Sequence, residues 1–115
     1  MNADGRVDLA FVKLRNTGSG RVEVHWANAA SGYGAFGGHH ATALGGGERT
    51  NGWFETVDMN GDRAADLVFL KDHNVSSGKI ELHWLDARAG FSRVTFSAAT
   101  AFSAAEAGHG FFTVM

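Results

Sequence analysis

Short stretches of alternating apolar and polar residues, separated by turns, run along the chain. Residues 79–84, Lys-Ile-Glu-Leu-His-Trp, alternate as a strand with one buried face does. Residues 67–70 form a continuous apolar run bounded by turn signals, which predicts a strand buried on both faces. Residues 53–57 and 94–102 are two further strand candidates. Since no long stretch places apolar residues at helical spacing, the pattern predicts an all-β fold.

The whole pattern occurs twice, because the chain matches itself without gaps when it is shifted by 58 positions, from Asn2 to Asn60 for example. Such a period, slightly above the usual range of about 20 to 50 residues, suits a four-stranded β-propeller blade with an extra loop. A duplication inside one compact domain is the alternative. The matched pairs include Asp4 and Asp62, Asp8 and Asp66, Leu9 and Leu67, Phe11 and Phe69, Glu23 and Glu81, His25 and His83, Trp26 and Trp84, and Gly52 and Gly110.

The repeat predicts two blades per chain. Residues 1–57 hold the first repeat and, at their end, the first strand of the second blade. Residues 58–115 hold the second repeat, and residues 110–114 resemble residues 52–57, so they are expected to complete a neighbouring blade. Open sheet edges favour head-to-tail assembly of copies, and a cyclic trimer or tetramer would hold six or eight blades, within the usual range of about four to eight. The alternative is a piece of a longer propeller.

Composition supports this class and excludes others. Sixteen glycines and no proline suit tight turns between strands, and the absence of cysteine excludes disulfides and thiolate metal sites. A formal net charge of −2 gives no broad attraction to nucleic acid. No apolar run has the length of about 18 residues that membrane insertion requires.

An acidic loop follows the strand candidate at residues 53–57. Asp58, Asn60, Asp62 and Asp66 supply oxygen side chains at loop positions 1, 3, 5 and 9, and the Ala64 carbonyl falls at position 7. Ca²⁺ prefers six to eight such oxygen ligands, so this spacing predicts a calcium loop. The glutamate of an EF-hand at position 12 and its flanking helices are missing, which favours a loop between strands. The alternative is an Asx-rich turn without metal.

The first repeat carries a shorter version of this loop. Asn2, Asp4 and Asp8 occupy positions 3, 5 and 9, and the Arg6 carbonyl falls at position 7, but position 1 is missing. We therefore expect a weaker or empty first calcium site.

The loop also carries a family resemblance. Residues 57–67, Val-Asp-Met-Asn-Gly-Asp-Arg-Ala-Ala-Asp-Leu, resemble the core signature of FG-GAP/VCBS-type repeats, although Arg63 stands where a calcium loop usually has glycine. Residues 17–26 and 30–33 look like a subgroup found in secreted bacterial and fungal proteins. The resemblance implies a β-propeller with calcium in its loops and a secreted or extracellular location. Members with this architecture include lectins and modules attached to glycoside hydrolases, usually with about seven blades in one chain.

Carbohydrate binding is the function that the remaining residues suggest. Aromatic faces stack on sugars, and nearby polar groups bind their hydroxyls. The alternative is that the tryptophans pack between blades. The candidate ligand-binding residues are Trp26, Trp84, His25, His83, Glu48 and Arg49.

No constellation of catalytic residues is evident, and we do not expect an enzyme. The sequence therefore predicts a lectin-like calcium-loop propeller assembled from several copies of the chain. A self-assembling propeller fragment or scaffold without a ligand of its own is the alternative.

Overall fold

The fold is all-β, as the pattern predicts. The computed structural model describes residues 8–114. Four short 3-10 helices lie between or after the strands: η1 (Ala29–Ser31), η2 (Gly46–Thr50), η3 (Ala87–Ala89) and η4 (Ala104–Gly108). The strands are β1 (Leu9–Lys13), β2 (Arg21–Ala27), β3 (Phe36–Gly45), β4 (Gly52–Val57), β5 (Asp66–Lys71), β6 (Lys79–Leu85) and β7 (Phe96–Ser103).

The strands form two antiparallel sheets. Sheet 1 has the order β1-β2-β3, and sheet 2 has the order β4-β5-β6-β7. The strand candidates at 53–57, 67–70 and 79–84 lie inside β4, β5 and β6. The fourth begins two residues later than predicted, at Phe96, because the Thr95 hydroxyl accepts a hydrogen bond from the Asp86 N–H (3.2 Å) and closes the preceding loop.

Equivalent elements recur at the sequence offset. Strand β2 begins at Arg21 and β6 at Lys79, and η1 begins at Ala29 and η3 at Ala87. The turns before β2 and β6 also agree, since Gly20 and Gly78 both adopt positive φ, 72° and 68°, a conformation that glycine accepts at little cost.

The core lies between the two sheets. Its buried members are apolar residues from β2 and β3 of sheet 1, from β5 and β6 of sheet 2, and from the loop before β7. Burying each such side chain contributes about 1.5 to 3 kcal/mol, so this shared layer holds the sheets together. The cluster consists of Val22, Val24, Leu44, Leu67, Phe69, Leu85 and Phe91.

The C-terminal segment packs on sheet 2. Phe112 stacks on Trp53 of β4 with ring centroids 5.6 Å apart, and it meets Phe102 of β7 edge to face at 5.2 Å. The Val114 N–H donates to the Glu55 carboxylate (3.0 Å). Residues 111–114 form no strand in the single chain, so their pairing with a neighbouring sheet stays a prediction.

Within residues 8–114, no helix is both long enough and apolar enough to cross a bilayer.

Candidate functional site

The acidic loop is organised around Asp58. Its Oδ1 accepts hydrogen bonds from the N–H groups of Gly61 (2.7 Å) and Asp62 (3.1 Å), and its Oδ2 accepts one from Arg63 (2.7 Å). The Arg63 N–H, followed by the other backbone N–H groups, holds the pKa of Asp58 below its ordinary value. Gly61 and Arg63 both adopt positive φ, 79° and 71°, which folds the loop back on this carboxylate.

Two further side chains of the loop bond locally. The Asn60 Oδ1 accepts from the Asp62 N–H (3.1 Å), and the Asp62 Oδ1 accepts from the Ala64 N–H (2.9 Å). The Asp62 Oδ2 pairs with Arg88 Nε (3.3 Å), and the Arg88 guanidinium also donates to the Asp62 carbonyl (2.9 Å). The acidic loop is thus tied to the residues around η3.

Asp66, at the end of the acidic loop, is fully buried. It accepts from the Met59 N–H (2.9 Å) and from the Ala87 N–H at the start of η3 (2.9 Å). Burial raises the pKa of this carboxyl. The first repeat has the same connection, because the Asp8 Oδ1 accepts from the Ala29 N–H at the start of η1 (3.1 Å). The aspartate therefore anchors the start of the 3-10 helix after β2 in the first repeat and after β6 in the second.

The calcium prediction concerns the same oxygens. In the described geometry the side chains of Asp58, Asn60, Asp62 and Asp66 accept backbone N–H groups, as an Asx-rich turn does. No group of three or more acidic or histidine side chains is arranged for a metal ion anywhere in residues 8–114. Calcium binding would require these oxygens to converge on one point, and it stays a prediction.

The first calcium loop lies largely outside the described residues. Asn2, Asp4 and Arg6 belong to the segment before residue 8, and Asp8 alone of that set has the contact given above.

Trp26 packs between the sheets rather than on an open surface. It lies against the core cluster and stacks on His40 with ring centroids 5.6 Å apart. A Cβ at Gly37 would collide with its indole, so glycine is required there. The indole Nε1 is buried, with no hydrogen-bond partner among residues 8–114. Trp84, its counterpart in sheet 2, is half-buried between its paired residues on β5 and β7.

His25 and His83 lie on the opposite face from the neighbouring tryptophans, because successive side chains of a strand alternate. Each belongs to a chain of three side chains. The Ser19 hydroxyl donates to Glu23 (2.7 Å), and Glu23 lies 3.0 Å from Nε2 of His25. The equivalent serine, glutamate and histidine of sheet 2, Ser77, Glu81 and His83, are spaced by 2.9 and 3.2 Å.

This chain of contacts stabilises the hairpin. The Ser19 and then the His25 hydrogen bonds lower the pKa of Glu23 from 4.5 to about 2. The Ser19 hydroxyl also accepts the Arg21 N–H (3.2 Å), so Glu23 fixes the turn before β2. His25 stacks on His39 of β3 with ring centroids 5.1 Å apart.

Glu48 and Arg49 lie on η2, which connects the two sheets. Glu48 pairs with Lys71 of β5 (3.3 Å) and accepts from the Asn51 amide (3.3 Å). Arg49 donates to the Gly46 carbonyl (3.0 Å) and lines an open cleft of about 500 Å³. Leu14, Arg15, Asn16, Thr17, Gly20, Gly46 and Gly47 also line that cleft.

The six predicted sugar-binding residues therefore occupy different places. Trp26 lies in the layer between the sheets, and His25 lies on the other face of sheet 1. In sheet 2 the order is reversed, because His83 lies against the core residue Phe69 (ring centroids 5.9 Å) and Trp84 lies on the other face, while Glu48 and Arg49 lie on the connection η2. Sequence reasoning missed the serine and glutamate partners of the histidines. The offset could have found them, since Ser19 matches Ser77 and Glu23 matches Glu81.

Comparison of the chain with models of protein families, with curated proteins and with solved structures finds no match. The resemblance to FG-GAP/VCBS-type repeats therefore stays a prediction.

Proposed function

We propose that the chain is a two-blade module of a β-propeller and that three or four copies associate head to tail into a closed ring. Sheets 1 and 2 are the two blades, and each stacks face to face on the next. A heterologous contact that repeats from copy to copy closes a ring when its rotation fits.

The observation that carries this proposal is the unequal burial of equivalent positions on β1 and β5. Leu9 and Phe11 of β1 are 61% and 58% exposed. Their counterparts Leu67 and Phe69 are buried because sheet 1 covers that face of sheet 2. A second copy that placed its own sheet 2 against β1 would bury the same two positions.

The C-terminal segment supports the same arrangement. Phe54, in the first strand of sheet 2, packs on the core cluster that contains Leu44 of sheet 1. Phe112 matches Phe54 in the repeat, and it packs on Phe102, the counterpart of Leu44. This packing supports an arrangement in which residues 111–114 become the first strand of a third blade.

Native mass spectrometry and sedimentation velocity across a concentration series test the proposal. We expect a discrete trimer or tetramer that dissociates on dilution. Phe11→Ser should weaken it, because the substitution removes an apolar contact while leaving the core of the single chain intact. The control is Phe69→Ser, which should unfold the chain itself. A fully folded wild-type monomer at every concentration would contradict the proposal.

We further propose calcium as a structural ion of this assembly, held by the loop from Asp58 to Asp66. The oxygen-rich loop supports it, with hard ligands at alternate positions. Isothermal titration with Ca²⁺ should show binding that Asp58→Ala abolishes, and Mg²⁺ serves as the control cation. Asp8→Ala in the first repeat should leave that binding unchanged. An absence of heat at millimolar Ca²⁺ would reduce the loop to an Asx-rich turn.

Carbohydrate binding by the ring is a second candidate. The cleft beside Arg49 favours it, because polar groups from the hairpin loop and η2 converge around a space wide enough for a sugar ring. Repeated sites around a ring would gain avidity on a glycan surface. A glycan array followed by titration with the simple sugars that bind tests it, with Arg49→Ala as the site variant and Arg93→Ala as the control. An array without signal would remove this candidate.

A further inference from the structure

Phe91 lies in the loop between β6 and β7 and serves as a knob. It follows Gly90, and both residues adopt positive φ, 57° for Phe91 and 64° for Gly90. The Phe91 N–H donates to the Asp86 carbonyl (3.0 Å), which fixes the loop. Positive φ is rare for a bulky residue, so the backbone here is held in a costly conformation by its surroundings.

The knob enters a socket on sheet 1. Phe91 is 1% exposed and belongs to the core cluster. We define the socket by four residues: Trp26, His40, Ala43 and Leu44. The His40 ring meets Phe91 edge-on at 6.0 Å, and the Ala43 N–H donates to the Phe91 carbonyl (2.9 Å). Leu44 belongs to the same core cluster as Phe91, and Trp26 packs against that cluster. This contact joins the two sheets by packing and by a backbone hydrogen bond together.

The first repeat carries the same knob at Tyr33. It follows Gly32, and the two residues have φ of 64° and 65°. The Tyr33 N–H donates to the Asn28 carbonyl (2.9 Å), the counterpart of the bond between Phe91 and Asp86. Tyr33 is 51% exposed, although its loop has the same conformation as the loop that buries Phe91 against sheet 1.

Sheet 2 carries the equivalent socket. Its positions, found by the same offset, are Trp84, Ala98, Ala101 and Phe102. Phe102 and Ala101 are exposed, whereas Leu44 is buried under sheet 2 and Ala43 is half-buried. The two sockets differ at two positions: Ala98 is smaller than His40, and Phe102 is larger than Leu44, while Tyr33 carries one hydroxyl more than Phe91.

We infer that Tyr33 of one copy inserts into the socket of a second copy, formed by Trp84, Ala98, Ala101 and Phe102. The Tyr33 carbonyl accepts a hydrogen bond from the Ala101 N–H of that copy, as the Phe91 carbonyl does from Ala43 within the chain. The occupant is a second copy because the chain itself seats the equivalent knob, Phe91, in the equivalent socket on sheet 1. The inference rests on the proposed ring and names the contact that closes it.

Three variants test the contact at matched concentration. Tyr33→Ala removes the knob, Ala98→Trp fills the socket, and Tyr33→Phe restores the knob that sheet 2 uses. We expect the first two variants to associate at least about tenfold more weakly than the wild type, since truncating or blocking a buried interface aromatic has such an effect. Tyr33→Phe should associate within about threefold of the wild type.

A mixture of the two weakened variants gives the sharper result. The Tyr33→Ala chain keeps its socket and the Ala98→Trp chain keeps its knob, so an equimolar mixture should form a 1:1 heterodimer that grows no further, seen by native mass spectrometry. Sedimentation of each variant alone should show monomer.

The possible failures are distinguishable. If the wild type stays monomeric at every concentration, the proposed ring fails and a second copy is not the occupant of the socket. If the wild type assembles but Tyr33→Ala assembles equally well, or if the mixture forms no heterodimer, the ring stands and the Tyr33 contact is wrong.

Discussion

Sheets 1 and 2 share a sequence pattern and an element order, yet they are covered on opposite sides. In sheet 1 the last strand is buried at Thr42 and Leu44, because sheet 2 lies on it. In sheet 2 the last strand leaves Phe102 55% exposed, while β5 is buried over most of its length. Burial at equivalent positions is thus set by the neighbouring sheet and not by the strand itself. The chain contains one interface between sheets, and we propose that its two outer faces repeat that interface between copies.

The largest expected difference concerns the knobs. Phe91→Ala should lower the free energy of unfolding by about 3 to 5 kcal/mol, because it empties a filled core position. Tyr33→Ala should lower it by less than Phe91→Ala in dilute solution, since Tyr33 is half exposed there. Urea denaturation followed by tryptophan fluorescence measures both. Equal losses of stability in the two variants would show that Phe91 and Tyr33 are buried to the same extent in the single chain.

The anchoring aspartates come next. Asp66→Ala should cost about 1 to 3 kcal/mol, because the N–H groups of Met59 and Ala87 lose their acceptor. Asp8→Ala should cost less, about 1 kcal/mol, since Asp8 is more exposed. Thermal and urea unfolding of the pair check this. A greater loss of stability for Asp8→Ala than for Asp66→Ala would contradict the conclusion that Asp66 is the better buried of the two aspartates.

A smaller difference separates two threonines. The buried Thr42 hydroxyl donates to the Val22 carbonyl (2.7 Å) and accepts the Leu44 N–H (3.1 Å). Thr42→Val should therefore cost about 1 to 2 kcal/mol. Thr100 occupies the equivalent position on β7 and accepts the Phe102 N–H (3.2 Å), but it is only half-buried, so Thr100→Val should cost less than Thr42→Val. Denaturant midpoints of the two variants provide the comparison.

The smallest effect depends on pH. Glu23 has a pKa of about 2 in the folded chain against an ordinary value of 4.5, so its stabilisation is present above pH 4.5 and is lost as the pH falls toward 2. Burial raises the pKa of Glu81, but the hydrogen bonds from Ser77 and His83 outweigh it and the net change is a decrease. Glu23→Gln should reduce the change in melting temperature between pH 4.5 and pH 2. Glu81→Gln should reduce this change by a smaller amount. Equal reductions for the two variants would contradict the difference in pKa between Glu23 and Glu81.

The sequence predicts where the strands lie, but it does not predict which parts of the chain pack on them. Alternation along residues 79–84 places β6 correctly, because strand periodicity is a local property. The covering of β5 by sheet 1 is not local, so the continuous apolar run at 67–70 predicted burial without saying what buries it. Phe91 was missed for the same reason: it lies in a loop after glycine, and nothing in its neighbourhood shows that its ring reaches the other sheet.

The candidate sites show the same limit. The spacing of Asp58, Asn60, Asp62 and Asp66 indicates oxygen ligands, but oxygens that bind a cation and oxygens that accept backbone N–H groups have the same spacing. Trp26 is a predicted sugar-binding residue that packs against the core cluster, and the sequence alone does not separate the two roles because aromatic residues serve both binding and packing. Gly37 is the residue that marks this packing, because only glycine leaves room for the Trp26 indole.

Asp66 has a consequence for how such a module could be regulated. One carboxylate accepts hydrogen bonds from Met59 in the acidic loop and from Ala87 in the loop that carries Phe91. An ion that pulls on this carboxylate would therefore shift the position of Phe91, and by reciprocity the seating of Phe91 would alter the affinity for the ion by the same factor. Ion binding and the seating of Phe91 would then be coupled through the Asp66 carboxylate. The concentration of the ion in solution would set how firmly sheets 1 and 2 pack together.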